Sequence, residues 1–384
     1  MIELIYPVPE VFPDNRARFI QIINTCYALA QQGLNVNLVT GIRKKYSIKD
    51  LYKFYGLKPC ENLKITKLPI LRREKARYFK ISSNGLFYFS FLVYLLTKQK
   101  KHNLIIFLRH LKLANFLLRL KKFFKIPMIF EAHEIFHLST LNRKKQETLK
   151  QIETNVYKNM NALISLSYEL KEFLINNFDI DKDQIFVVPD AVKKEWFLIE
   201  KKPLYICYTG SLYKWKGVDV LISAMKYIPN EKLLIVGGGE RLEELKELAM
   251  KNHLSDRIIF AGEVPHTLIP EYLSKAKIAV LPNTTYENSK FSSPLKLFEY
   301  MAAGIPIVAS DLPVFREILQ NQKNALFFEP GNSQALANAI KQILTSDELA
   351  QKLSENAKKT AEKYTYEKRA EKICEIIKNL NKNA

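Results

Sequence analysis

The sequence predicts an α/β protein made of two Rossmann-like domains facing a cleft. Three observations carry that expectation: the chain length, the alternation of strand-like and helix-like runs, and a fresh start of that alternation near residue 204. At 384 residues the chain exceeds one ordinary core, so two domains are expected. Hydrophobic residues at 47% and charged residues at 26% describe a folded globular chain.

Apolar, β-branched runs fall at 2–6, 36–40, 63–68, 104–108, 128–131, 162–166 and 185–188. A second series follows at 204–209, 233–236, 258–261, 278–281, 305–309 and 325–328. Helical patterns separate most of them, as at 19–32, 241–251 and 333–344. Strands alternating with helices imply parallel sheets covered on both faces. The expected domains are 1–195 and 196–365, with a C-terminal helix at 366–384 packing back on the first. A linker is expected at 191–203, charged and closed by a proline. The four cysteines lack CxxC or metal-ligand spacing and read as small core residues in a reducing compartment. Met1 leads directly into IELIY, so no signal peptide is expected. The longest apolar run, 85–97, is shorter than the roughly 20 residues a bilayer requires.

Phosphate-binding features collect in the second half. The stretch 281–310, LPNTTYENSKFSSPLKLFEYMAAGIPIVAS, reads as strand end, polar loop, helix and strand. A helix N-terminus at the carboxyl end of a parallel strand offers free N–H groups and a positive dipole to an anion. Glu299, about two turns in, suits ribose hydroxyls better than phosphate; a plain capped helix is the competing explanation. In TGSLYKWKGVDVLISA, Gly210 permits a tight turn, Lys216 can meet a phosphate, and Gly217 lets the backbone approach closely. GGGE at 237–240 lacks both dinucleotide and P-loop spacing and reads as a turn. Val264 stands where a backbone group could read a base, or serves only as a turn residue before Pro265.

These segments, with IVGGGE, IIFAGEVPHTLIPEYLSKAKIAVLPN and TYEKRAEKI, resemble family four retaining nucleotide-sugar glycosyltransferases of the two-Rossmann GT-B fold. The resemblance spans nearly all of 185–370; FPDNRARFIQIINTCYALAQQG and IPMIFEAHE resemble the same family less specifically. It implies that Lys216 holds the donor diphosphate and Glu299 the ribose. Gly210 and Ser211 would form the phosphate loop, and the amides around Ser292, Ser293 and Leu295 would support the leaving phosphate and sugar. Val264 would contact the base, and His133 would reach the donor sugar or acceptor. No metal and no cofactor beyond the nucleotide-sugar co-substrate is expected. Two positions depart from the pattern: Ser211 stands where relatives usually carry Arg, and Phe291 where they often carry Glu. Lys296 or Arg16 is the candidate substitute cation, and Glu287 the candidate carboxylate.

The formal charge of +20 lies mostly in residues 1–200, which carry 33 basic and 18 acidic residues. Between 70 and 125 there are 14 basic residues and one acid, Glu74, interleaved with aromatics. That composition suits an anionic membrane surface, unless the aromatics are core and the lysines merely solvated. Nucleic-acid binding is not expected, since no helix-turn-helix, RNP or zinc pattern accompanies the charge. The expected protein is a cytoplasmic enzyme, peripheral at the inner face of the cell membrane, that glycosylates a lipid-linked or saccharide acceptor. A nucleotide-sugar epimerase or phosphorylase of the same layout, or a non-catalytic scaffold, are the alternatives.

Overall fold

The computed structural model describes residues 2–43, 45–70, 84–99, 103–285, 290–291 and 293–382. The chain divides into two units, one made of Met1–Pro189 with Tyr366–Ala384 and one of Asp190–Thr365. The segment read as a linker thus lies in the second unit, where Trp196 is buried.

The first unit holds a seven-stranded sheet of β1 (Ile2–Phe12), β2 (Asn35–Ile42), β3 (Leu63–Lys67), β4 (Asn103–Leu108), β5 (Met128–Ala132), β6 (Ala162–Ser165) and β7 (Ile185–Val187). Their spatial order is β3-β2-β1-β4-β5-β6-β7, and every pairing is parallel. Runs such as Ile105, Ile106 and Phe107 are fully buried because helices cover both faces of a parallel sheet. Helix Ala17–Gln31 buries Phe19, Ile23, Cys26 and Ala30 at helical spacing and ends before Gly33, whose φ of +83° an L side chain rarely adopts. The C-terminal helix Tyr366–Lys382 packs against it through a face that includes Ala370, Ile373 and Ile377.

The second unit holds a six-stranded sheet of β8 (Tyr205–Thr209), β9 (Leu233–Val236), β10 (Ile258–Gly262), β11 (Ala276–Leu281), β12 (Ile307–Ser310) and β13 (Leu326–Phe328). Its order is β10-β9-β8-β11-β12-β13, again parallel throughout. β12 starts later than the apolar pattern predicts, because Pro306 has no N–H for the ladder; its carbonyl accepts from Ala279 instead. Each sheet reverses its strand order once, between β1 and β4 and between β8 and β11. Ligands of open α/β sheets bind outside the carboxyl ends of the strands at such a reversal.

All four cysteines are free, with Cys26 and Cys207 buried. Part of the basic, aromatic stretch (71–83 and 100–102, with Tyr78, Phe79 and Glu74) lies outside the described residues. Of the remainder, Phe87, Phe91, Phe107 and Phe124 are core, the alternative that the composition left open for them. Leu86, Phe89, Val93 and Phe123 are exposed. Among the described residues no helix is long and apolar enough to cross a membrane.

Candidate functional site

In the second unit the reversal point is built from two glycine-dependent loops and one helix start. β8 runs into Gly210, held at φ +126°, whose N–H donates to the Val236 carbonyl at 2.8 Å. Two residues on, the Leu212 amide donates to the Gly238 carbonyl at 3.0 Å, so the loops after β8 and β9 lie backbone to backbone. A Cβ on Gly237 would stand 1.9 Å from the Gly210 carbonyl oxygen, which only glycine avoids. The GGGE turn therefore supports the loop that follows β8. Gly217 starts helix Val218–Ala224 at φ +66°, and a Cβ there would meet the Pro282 carbonyl oxygen at 1.8 Å. Thr284 donates to the Trp215 carbonyl at 3.0 Å, fastening the same loop to the end of β11.

Two lysines converge on this loop. Lys216 is buried with its Nζ 3.6 Å above the Trp215 ring. Lys296, from the first turn of helix Leu295–Ala302, is buried with its Nζ 3.7 Å above Tyr208 and 2.9 Å from the point a Cβ on Gly210 would occupy. Lys296 Nζ has no hydrogen-bond partner, and no carboxylate forms an ion pair with either lysine among the described residues. Burial pushes Lys216 down to about 7. Lys296 is held well below its ordinary value by burial and by the like charge of Lys216. Uncompensated buried cations are costly, and such perturbed groups cluster where a protein binds or reacts with something.

Helix Leu295–Ala302 is fixed by Tyr300, whose hydroxyl accepts from Thr209 N–H at 2.8 Å. Its N-terminal amides precede the first intrahelical bond and remain available to an anion. Ser293 Oγ accepts from the Asp190 amide at 3.1 Å, and Pro294 caps the helix in extended conformation. Glu299 is buried, with Oε1 2.6 Å from His266 Nε2, and the His266 ring lies 5.3 Å from Trp196. Val264 is half-buried, two residues before His266. The Ser211 carbonyl accepts from the Tyr208 hydroxyl at 2.7 Å. Phe291 is buried, and Glu287 and Ser292 lie outside the described residues. Of the two candidate substitute cations, Lys296 stands at the loop that carries Ser211. Arg16 belongs to the first unit, where Asp14 binds its guanidinium at 2.8 Å.

In the first unit His133 follows β5 directly, on the wall of a cavity of about 490 Å³ at the carboxyl ends of β1 and β4. Arg18, Arg109, His110, Tyr88 and Glu134 also line it. His133 Nε2 lies 2.5 Å from Glu131 Oε1. Burial, then the Arg109 charge, pushes His133 down to about 4 against the pull of Glu131, so its imidazole is neutral at pH 7.

Sequence reasoning did not find His266, Tyr300, Glu131 or Arg369. Glu131 stands two residues from His133, and period-two alternation is the signal that could have joined them. Among the described residues the side-chain partners of His266, Tyr300 and Arg369 lie far off in sequence and leave no local signal.

Each unit thus holds a parallel, Rossmann-like sheet with residues gathered at its reversal point. Comparison with known proteins gives the family. The model for Glycosyltransferase Family 4 matches residues 20–196, and that for Glycosyl transferases group 1 matches 191–360. Together they cover most of the chain, which belongs to the group 1 glycosyltransferases of GT-B fold. The uncharacterized glycosyltransferase MJ1069 of Methanocaldococcus jannaschii is 27% identical over 60% of this chain and 62% of its own. The O-antigen chain mannosyltransferase RfbU of Salmonella typhimurium is 28% identical over 47% of this chain and 50% of its own. The matched stretches thus span between half and two thirds of these relatives' lengths. Among solved structures, sucrose-phosphate synthase from Thermosynechococcus elongatus superposes with a TM-score of 0.81 at 19% identity, covering both chains completely. Anabaena HepE in complex with UDP superposes with a TM-score of 0.73 at 14% identity, covering 99% of this chain and 100% of its own.

Proposed function

We propose that the protein is a retaining glycosyltransferase that moves a sugar from a nucleotide-sugar donor to an acceptor hydroxyl. The observation that carries this reading is the pair of buried lysines, Lys216 and Lys296, at one phosphate-type loop beside a helix start. A diphosphate supplies the negative charge those groups lack. Glu299, oriented by His266, binds the ribose hydroxyls. The backbone at Val264 contacts the base, and the amides at Ser293 and Leu295 support the leaving phosphate. As the diphosphate departs, these fixed donors stabilise its charge while the sugar becomes oxocarbenium-like. The acceptor attacks from the face the diphosphate leaves, which is the retaining outcome the family implies. Lys296 takes the part of the cation that Ser211 cannot provide. The UDP of the HepE complex and the O-antigen role in the name of RfbU support a nucleotide donor and a cell-envelope product, whether polysaccharide, lipopolysaccharide or glycolipid.

Transfer and slow donor hydrolysis measured with UDP-, GDP- and ADP-sugars test the reading; inactivity with every donor would overturn it. Glu299→Ala should weaken donor binding by about 1.5–3 kcal/mol, the worth of a hydrogen bond to a charged group, without unfolding the chain. Unchanged donor affinity by calorimetry would remove Glu299 from the ribose.

The same reading places the enzyme in the cytoplasm, peripheral on an anionic membrane, with a lipid-linked or saccharide acceptor. It is supported by one apolar side of helix Gly85–Lys98, where Leu86, Phe89 and Val93 are exposed at helical spacing, and by exposed Phe123 with Lys122 Nζ 5.1 Å from its ring. Each Lys or Arg near an anionic leaflet contributes about 1 kcal/mol. Anionic vesicles should float the protein at low salt and neutral ones should not; no flotation on anionic vesicles would favour a water-soluble acceptor.

A further inference from the structure

Glu131 is a fully buried carboxylate at the centre of a polar network inside the first unit. Its Oε1 faces His133 Nε2 and also accepts from Gln21 Nε2 at 3.2 Å; Gln21 in turn accepts from Arg109. Its Oε2 accepts from Nη2 of Arg369, on the C-terminal helix. The rest of that guanidinium is committed as well. Nε donates to Thr25 Oγ1 at 3.2 Å, and Nη1 donates to the carbonyls of Val188 and Pro189. Pro189 is the last residue before the chain passes into the second unit, and Arg369 stands just after the chain returns at Tyr366. One guanidinium therefore ties both passages to the carboxylate that holds His133.

The geometry leaves His133 one arrangement. A carboxylate only accepts hydrogen bonds, so the proton lies on Nε2. A neutral imidazole carries one N–H, so Nδ1 is an acceptor. We propose that Glu131 is a positioning residue that keeps His133 in the Nε2–H tautomer, presenting Nδ1 to a hydroxyl of the transferred sugar or of the acceptor, and that Arg369 keeps Glu131 in place by anchoring it to the Val188 and Pro189 carbonyls. The hydroxyl contact rests on the transferase reading above; the tautomer does not. Burial alone would raise the Glu131 pKa, but Arg369 and His133 outweigh it and hold the carboxyl well below its usual range. The other charged groups around the pair are Arg109, beyond β4, and Glu134; Tyr6 on β1 and Cys26 on the first helix are held neutral by burial.

Replacement of Glu131 by glutamine reverses the pairing. Arg369 only donates and is the stronger, charged donor, so it claims the amide oxygen; the NH₂ turns toward His133, and Gln21 Nε2 loses its acceptor. Nε2 then becomes the acceptor, and the proton moves to Nδ1. The test is nitrogen-15 NMR of the full chain labelled at histidine, with the His133 signals assigned by their loss in His133→Gln. Wild-type protein should show the Nε2–H tautomer with no titration between about pH 6 and 8, as expected for a ring whose pKa lies near 4. Glu131→Gln should show Nδ1–H, with turnover falling about 10- to 100-fold, the range for losing one hydrogen bond to a polar or charged group. Arg369→Lys, which keeps a cation but cannot span Glu131 and both carbonyls, should mobilise the His133 ring and lower turnover less. An Nδ1–H tautomer in wild-type protein, or the same tautomer in wild type and Glu131→Gln, overturns the positioning role. A reversed tautomer with undiminished turnover overturns the hydroxyl contact alone and takes His133 out of the proposed transfer.

Discussion

Lys216→Ala is expected to weaken nucleoside diphosphate binding by about 2–5 kcal/mol while leaving binding of the bare nucleoside nearly unchanged. That range is what removing one partner of a desolvated charge pair typically costs. The contrast follows from the proposed function: Lys216 stands in the loop between β8 and the next helix, whereas Glu299 and Val264 are the proposed ribose and base contacts. Equal losses for both ligands would move Lys216 away from the phosphates. The same lysine makes binding depend on pH. In the unliganded protein burial holds Lys216 near 7, against 10.5 for a free lysine. The unfolded chain therefore binds more protons between those values, and stability of the unliganded protein rises with pH across that window. A bound diphosphate favours the ammonium form and reverses the preference. Donor binding should take up a proton above about pH 7, and affinity should fall as pH rises further. Lys296, depressed by burial and by Lys216, should add to the uptake. Calorimetry in buffers of different ionisation enthalpy measures the protons directly; none taken up at pH 8 would contradict the placement of both lysines.

Glu131→Ala is expected to destabilise the first unit by about 3–5 kcal/mol, the cost of removing one member of a buried ion pair. Its loss leaves the Arg369 guanidinium buried without a counter-charge, with Thr25 and two carbonyls as its remaining acceptors. That is a large share of the roughly 5–15 kcal/mol that holds a domain folded. Because the folded-state pKa of Glu131 is depressed, its contribution is complete above the unfolded-state value and is lost as pH falls through the folded one. Urea unfolding at pH 7 should therefore separate wild type from Glu131→Ala widely, and the gap should shrink in acid. Glu131→Gln should lose less, since the amide oxygen still accepts from Arg369. A loss below about 1 kcal/mol for the alanine variant would mean that water reaches the pair.

The strand series and the helices between them were legible because both are written in local periodicity. Ile105, Ile106 and Phe107 are consecutive and apolar because both faces of β4 are covered, and a short window of sequence records this. The glycines at 210 and 217 were legible for a related reason: a turn at the end of a strand leaves a mark at one position. GGGE was read as a turn, and its second purpose was hidden because the Gly237 constraint comes from Gly210. Composition leaves open which aromatics between 87 and 124 are core, since it counts rings without saying which way each one points. Phe87 and Phe91 face the core while Phe89, between them, faces outward.

By itself the sequence determined an α/β chain with two parallel sheets and the loops that end β8 and β11, and it singled out Lys216 and Glu299 beside them. Only the tertiary structure decided which groups those residues meet. Lys296 reaches Gly210, His266 orients Glu299, and Arg369 closes on Glu131 across 238 residues of chain. Hydrophobic burial acts on every residue of a strand or helix face, so it repeats along the chain and can be read there. A buried hydrogen bond or ion pair is made once, between two side chains that the fold alone brings within about 3 Å, and neither leaves a periodic trace in the sequence.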